Sequence, residues 1–147
     1  MKIAFGADDE NETTRAVVDA LASAGHEVVP VATAQQWPAI GEAVGRAVAD
    51  GTAQLGVVMC WTGTGTAIAA NKVPGVRAAL AWDPWVAKGA RLWNDANVLA
   101  MSLKRLAPDV AVEVTKAFLD TTEPDPDEAE NIAALSGIEQ RAGSAAR

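Results

Sequence analysis

The residue types that carry most acid–base and metal chemistry are nearly missing from this chain. Its 147 residues include one cysteine, Cys60, and one histidine, His26. A lone cysteine excludes an internal disulfide framework. One of each is too few for the four-ligand structural zinc sites. Positive charge is also scarce, with 12 Lys and Arg against 19 Asp and Glu and a net charge of −7. That balance argues against nucleic-acid and anionic-membrane partners, which are held by basic patches. No apolar run approaches the ~20 residues needed to span a bilayer. Met1-Lys2-Ile3-Ala4-Phe5 enters a strand-like run directly, without the layout of a secretory leader, so a soluble, cytoplasmic protein is expected. Tyrosine is absent, yet there are five tryptophans.

Half of the residues are apolar and 21% are charged, a globular composition with one sizeable core. Short apolar runs alternate with helical periodicity. Strands are expected at Ile3 to Gly6, His26 to Val31, Leu55 to Cys60, Val76 to Leu80 and Asn97 to Met101. Helices are expected at 12–24, from Trp37-Pro38 onward, at Thr66 to Lys72, Pro84 to Leu92, Pro108 to Leu119 and Glu128 to Gln140. Pro30 suggests that its strand lies at a sheet edge. The tail from 141 to 147 is expected to fray. This order implies an α/β fold: a five-stranded parallel sheet covered by helices on both faces, with right-handed crossovers. Ligands of such sheets bind at the carboxyl rim. The segments to inspect are therefore Ala7 to Glu10, Thr33 to Trp37, Cys60 to Thr66, Ala81 to Asp83 and Ser102 to Arg105.

Among these, Cys60-Trp61-Thr62-Gly63-Thr64-Gly65-Thr66 links the central strand to a helix. Gly63 and Gly65 let backbone approach a ligand, and such a turn aims amides at an oxygen anion. The spacing is neither that of a phosphate-binding Walker loop nor that of a dinucleotide fingerprint. By itself the loop fits an anion cradle or a plain tight turn. By itself Cys60 reads as a small buried hydrophobe at a strand end. Asp8-Asp9-Glu10 is read as helix capping rather than as a metal site, because consecutive strand residues point to alternate sides. His26 lies on the opposite rim and is read as structural or solvent-exposed.

Three segments carry a resemblance: Cys60 to Gly65, Ile68-Ala69-Ala70-Asn71-Lys72-Val73-Pro74-Gly75-Val76-Arg77-Ala78-Ala79, and Asn94-Asp95-Ala96-Asn97-Val98-Leu99-Ala100. Together with Lys2 to Asp8 they resemble the ribose-5-phosphate isomerase B and galactose-6-phosphate isomerase family over about residues 1–140. The resemblance implies a single domain over 1–140, a Rossmann-like three-layer αβα sandwich with a C-terminal helix, and a homodimer with active sites at the subunit interface. It implies a cofactor-free aldose–ketose isomerase that shifts a proton between C1 and C2 of a sugar or sugar phosphate through an enediolate. It gives Cys60 the role of base, a thiol whose pKa nearby amide dipoles can lower. Thr62 stands beside that base, Gly63, Thr64 and Gly65 match the anion-hole backbone, and Asn94 matches the residue that reaches the reacting end. Asn71 is read as tying its loop together.

Four departures bear on the substrate. Asp9 stands where the family commonly has a phosphate-holding histidine, and a carboxylate repels a dianion. Trp93 stands where the family has a ring-opening histidine, and an indole cannot shuttle a proton. The stretch Asp125-Pro126-Asp127-Glu128-Ala129-Glu130-Asn131 carries none of the family's phosphate-clamping arginines. Trp61 replaces a glycine after the cysteine. Lys104 aligns with a further phosphate-binding arginine and keeps its charge. The expected substrate is therefore not the ordinary pentose phosphate. Asp8, Asp9 or water is left to handle the proton of ring opening, unless the substrate enters in its open-chain form. Trp61 and Trp93 are ligand candidates, whereas Trp82 and Trp85 are expected at a subunit interface or against the last helix. The other classes open to the same residues are a catalytically silent sugar-binding relative and an epimerase or tautomerase of an unphosphorylated hydroxy-carbonyl compound.

Overall fold

A computed structural model describes residues 1–31 and 36–145. Five parallel strands, β1 (Lys2–Ala7), β2 (Glu27–Pro30), β3 (Leu55–Cys60), β4 (Ala78–Leu80) and β5 (Val98–Ser102), form one sheet in the order β2-β1-β3-β5-β4. β3 and β5 are buried along their whole length. Their continuous apolar runs suit strands covered on both faces. β2 is an edge strand, as Pro30 suggested.

Helices α1 (Glu12–Ser23), α4 (Pro84–Asn94) and α5 (Pro108–Asp120) cover one face, where Ile3, Val57, Met59, Leu99 and Met101 pack with Val17, Leu21, Ala87, Val114 and Phe118. Helices α2 (Trp37–Ala49) and α3 (Thr64–Ala70) cover the other, against Ala4, Val58, Val98 and Ala100. Side chains alternate along a strand, so Cys60 follows Val58 onto the α2/α3 face. The sandwich is Rossmann-like, as expected. Chain direction across the sheet diverges between β1 and β3, and the crevice at such a divergence is where ligands of open sheets bind. Asp8 and Cys60 flank that crevice.

Several boundaries differ from the sequence reading for local reasons. The cap of α1 is not an acidic residue but Asn11. Its side chain accepts from the Thr14 amide at 3.0 Å, while Thr14 Oγ1 accepts from the Asn11 amide at 2.9 Å, a reciprocal capping box. α3 begins at Thr64 rather than Thr66, because left-handed Gly63 (φ 79°) already turns the chain into the helix. β4 starts at Ala78, since the Arg77 amide is bound by the Asn97 side chain at 2.8 Å instead of by a strand. α4 runs two residues further, to Asn94, and ends where Asp95 takes a left-handed conformation (φ 45°). A short 3₁₀ turn, Pro126–Glu128, precedes α6 (Ala129–Ala145), which continues past Gln140 and buries none of its residues.

Candidate functional site

The carboxyl ends of β1 and β3 border a cavity of about 540 Å³ lined by Asp8, Gln36, Trp37, Cys60, Trp61, Thr62, Thr64 and Gly65. Thr33 to Gln35 of the adjoining rim segment lie outside the described residues. Cys60 is 4% exposed, and it lines this cavity at the end of a strand buried along its whole length.

The loop after β3 is folded around that sulfur. The Gly63 amide donates to Sγ at 3.2 Å, and the Thr66 hydroxyl lies 3.5 Å from it. Burial pushes the thiol up. Hydrogen bonds from the Thr66 hydroxyl and from the backbone amides of Thr66, Gly63 and Thr62 outweigh that effect and hold it below its ordinary range. This is the charged-form stabilisation that makes a thiolate available near neutral pH. Both glycines are required. A Cβ on Gly63, at positive φ, would come within 2.6 Å of Leu80 Cδ1 and 2.8 Å of the Met101 carbonyl carbon. A Cβ on Gly65 would meet the Trp37 ring at 2.9 Å.

Thr62 and Thr64 sit exposed on the cavity wall with their hydroxyls 2.7 Å apart. Asp8 shares the wall. Burial and the neighbouring Asp9 raise its carboxyl above the usual range, against its own backbone amide and Lys104, which pull it down. Its Oδ1 is buried with no hydrogen-bond partner among the described residues. Lys104 and Asp9 form an ion pair at 3.6 Å, and the Lys104 ammonium lies 5.0 Å from the centroid of the Trp61 ring. Among the described residues no group of three or more His, Cys, Asp or Glu side chains gathers as metal ligands.

Two residues important to the site lie in rim segments marked for inspection but were given no role of their own from the sequence. Thr66, fully buried, has its hydroxyl within hydrogen-bond reach of the sulfur at 3.5 Å and of the Gly63 carbonyl at 3.3 Å. Ser102, at the end of β5, donates to the Trp61 carbonyl at 2.5 Å and accepts from the Arg105 amide at 3.0 Å. A hydroxyl at the first turn of the helix after the loop was the signal for Thr66. For Ser102 the rim position was the signal, while its partner Trp61 follows another strand and could not be read locally.

Trp93 and Asn94 do not line the Cys60 cavity. Trp93 packs edge-on to Trp85, with ring centroids 5.4 Å apart. Asn94 faces a separate cavity of about 720 Å³ between the loop after α3 and helix α6. Trp82 and Trp85 are 61% and 69% exposed, so the chain's own last helix does not cover them. His26 lies just before β2, at the opposite rim, as expected.

The motif residues around 71–97 bind one another instead. Asn71 exchanges two hydrogen bonds with the Ala78 backbone, both 2.8 Å. Asn97 Nδ2 donates to the Gly75 carbonyl at 2.9 Å. Asp95 bridges Arg77 at 2.8 Å and Arg91 at 3.1 Å. Arg91, 8% exposed, also donates to the carbonyls of Ala96, Thr121 and Thr122 and lies over the Phe118 ring. This is how a buried guanidinium is accommodated, with its donors satisfied.

Known proteins resemble this chain over most of its length. The profile of the family described as Ribose/Galactose Isomerase matches residues 3–135. D-erythrulose-4-phosphate isomerase of Pectobacterium atrosepticum is 34% identical over 126 residues, covering 82% of this chain and 83% of its own length. Ribose-5-phosphate isomerase B of Escherichia coli is 33% identical over 145 residues, covering 95% and 97%. The structure of ribose-5-phosphate isomerase B from Clostridium thermocellum superposes with a TM-score of 0.88 at 32% identity, covering 96% and 99% of the two chains.

Proposed function

The chain belongs to the Ribose/Galactose Isomerase family, and from that premise we propose that it is an aldose–ketose isomerase acting on a sugar or sugar phosphate, with Cys60 as the base. The observation that carries this reading is Cys60 itself: it lines a cavity, and amides and a hydroxyl hold its thiol below the ordinary range. The thiolate removes the proton from the carbon beside the carbonyl, and the electron pair moves onto the carbonyl oxygen to give the enediolate. The amides of Thr64 and Gly65, in the first turn of α3, have no intrahelical acceptor and hold that oxygen. The Gly63 amide serves the sulfur. The Cys60 thiol then returns the proton to the neighbouring carbon. Asp8 is the other ionisable group on the wall. Its raised pKa suits it to carry the proton between the two substrate oxygens, and to assist ring opening where Trp93 cannot. The Thr62 and Thr64 hydroxyls are placed to hydrogen-bond the substrate's own.

Two relatives carry the names of different substrates, D-erythrulose 4-phosphate and ribose 5-phosphate. Asp9, Trp61 and Trp93, with the acidic stretch 125–131, point this chain to a substrate other than the ordinary pentose phosphate.

The working unit is a homodimer with sites shared between subunits, and a cytoplasmic location goes with it. Support comes from Trp61, Ile68, Trp82 and Trp85, all exposed in the single chain, and from α6, which buries nothing. Large exposed apolar surface marks an interaction face. Asn94 and Trp93, which do not line the cavity of their own chain, would reach the Cys60 of the second copy. The test mixes two inactive variants, Cys60→Ala and Asn94→Ala, after reversible dissociation. A shared site restores turnover, because the mixed dimer contains one intact constellation. A mixture no more active than its components contradicts sharing, and full activity in Cys60→Ala alone contradicts the base assignment.

A further inference from the structure

The rim carries one linkage that proton transfer does not use. The Trp61 carbonyl is held by Ser102, and its ring supports the Lys104 ammonium at 5.0 Å, within range of a cation–π contact. The same ammonium reaches Asp9 Oδ2 at 3.6 Å. Asp9, Trp61 and Lys104 follow β1, β3 and β5, three adjacent strands. An ion pair and a ring thus connect three rim segments beside the cavity that holds Cys60 and Asp8.

The charges of that linkage act on the cavity. Asp8, on its wall, is pushed up by Asp9 and pulled down by Lys104. The described residues lining the cavity include no cation. Lys104, against the Trp61 ring that forms part of the wall, is half-exposed, and so is Asp9. A dianion entering here meets an ammonium already matched by a carboxylate. It must share or displace Asp9 and bear its repulsion. A hydroxyl has no such conflict, since it accepts from the ammonium and donates to the carboxylate.

Resting on the isomerase reading above, we propose that Asp9 is a specificity-determining residue: paired with Lys104 on the face of Trp61, it biases the site against a phosphate terminus and toward a hydroxyl terminus on the substrate. The family reading alone does not give this, because it depends on the Asp9–Lys104–Trp61 contact of this chain.

The experiment compares the wild type with Asp9→Asn, and with Glu113→Gln, which removes the same charge from the exposed side of α5. Inorganic phosphate is titrated calorimetrically, and kcat/KM is measured for an aldose and for its terminal phosphate ester. Asp9→Asn should bind phosphate about tenfold more tightly and raise the ester-to-aldose kcat/KM ratio by about the same factor. Adding Lys104→Met should abolish both gains, and high salt should shrink them. Unchanged or weaker phosphate binding in Asp9→Asn overturns the proposal. So does an equal gain in Glu113→Gln, which would make the effect one of net charge. The phosphate titration needs no turnover. A gain in binding without conversion of either sugar therefore defeats the isomerase reading and leaves the charge assignment standing.

Discussion

The loop 60–66, which holds the matching residues 60–65, and the segments 68–79 and 94–100 carry the family resemblance with similar force, yet their polar groups face different ways. In the loop, the Gly63 amide and the Thr66 hydroxyl converge on one sulfur at a cavity wall. In the other segments, Asn71, Arg77, Asp95 and Asn97, together with Arg91 of α4, are used up on each other and on backbone. The first region leaves a reactive residue lining a cavity. The second leaves almost nothing free, and fixes β4 and the end of α4. A shared motif therefore does not say whether a residue does chemistry or holds what does. The direction of its hydrogen bonds does.

The sharpest way to break this contrast is to exchange the effects. Cys60→Ala should lower kcat about 10³-fold, in the range of a lost general base, with an intact circular dichroism spectrum. A fall in KM-type binding alone, with kcat kept, would place the sulfur among mere contacts. Arg91→Met should do the opposite. It strands one oxygen of Asp95, Oδ1, and three carbonyls, and unfolding in urea should show a loss of about 3 kcal/mol, while turnover per folded molecule falls far less than in Cys60→Ala. A loss below ~1 kcal/mol would mean that the Arg91 cluster is not the scaffold described.

Smaller effects sharpen the loop side. Thr66→Val keeps the shape and removes one donor to the sulfur. The thiol pKa should rise, because a hydrogen bond that holds it down is gone, moving the acidic limb of the pH–rate profile upward and lowering turnover at neutral pH by up to about tenfold. The chain has one cysteine, so titration of thiolate absorbance reads this directly, and an unmoved titration rules out the Thr66 contribution. The smallest effect concerns Asp8. Its pKa is raised in the fold, so the native state favours the protonated form. The carboxyl costs nothing well below its unfolded pKa and costs most once pH has risen through the folded value. Asp8→Asn should therefore stabilise the protein at neutral pH, by less than ~1 kcal/mol, and not at pH ~3. Equal urea midpoints for wild type and variant at neutral pH would contradict this assignment.

Alternation and punctuation made most of the fold legible. The apolar run Leu55 to Cys60 marked the central strand, Pro30 an edge, and Pro38, Pro84 and Pro108 the first turns of three helices. The order of strands came from no local signal, because it depends on which crossovers pack. The ends of α3, β4 and α4 were misjudged where one residue's unusual conformation or a distant side chain decided them, as with Gly63, Asn97 and Asp95. In the site, Cys60, Thr62 and the glycines were legible from one contiguous motif. Their surroundings were not. Ser102 and the contact of Lys104 with Trp61 arise from strands far apart in sequence and adjacent in the sheet.

Proton exchange with solvent tests the central assignment most directly. A sugar substrate incubated in D₂O with the wild-type protein should gain deuterium at the carbon beside the carbonyl, because the Cys60 thiol exchanges its proton while the enediolate is held. The same incubation with Cys60→Ala should show no incorporation above background. Deuterium entering at the wild-type rate in Cys60→Ala would contradict the account and assign the proton to another group.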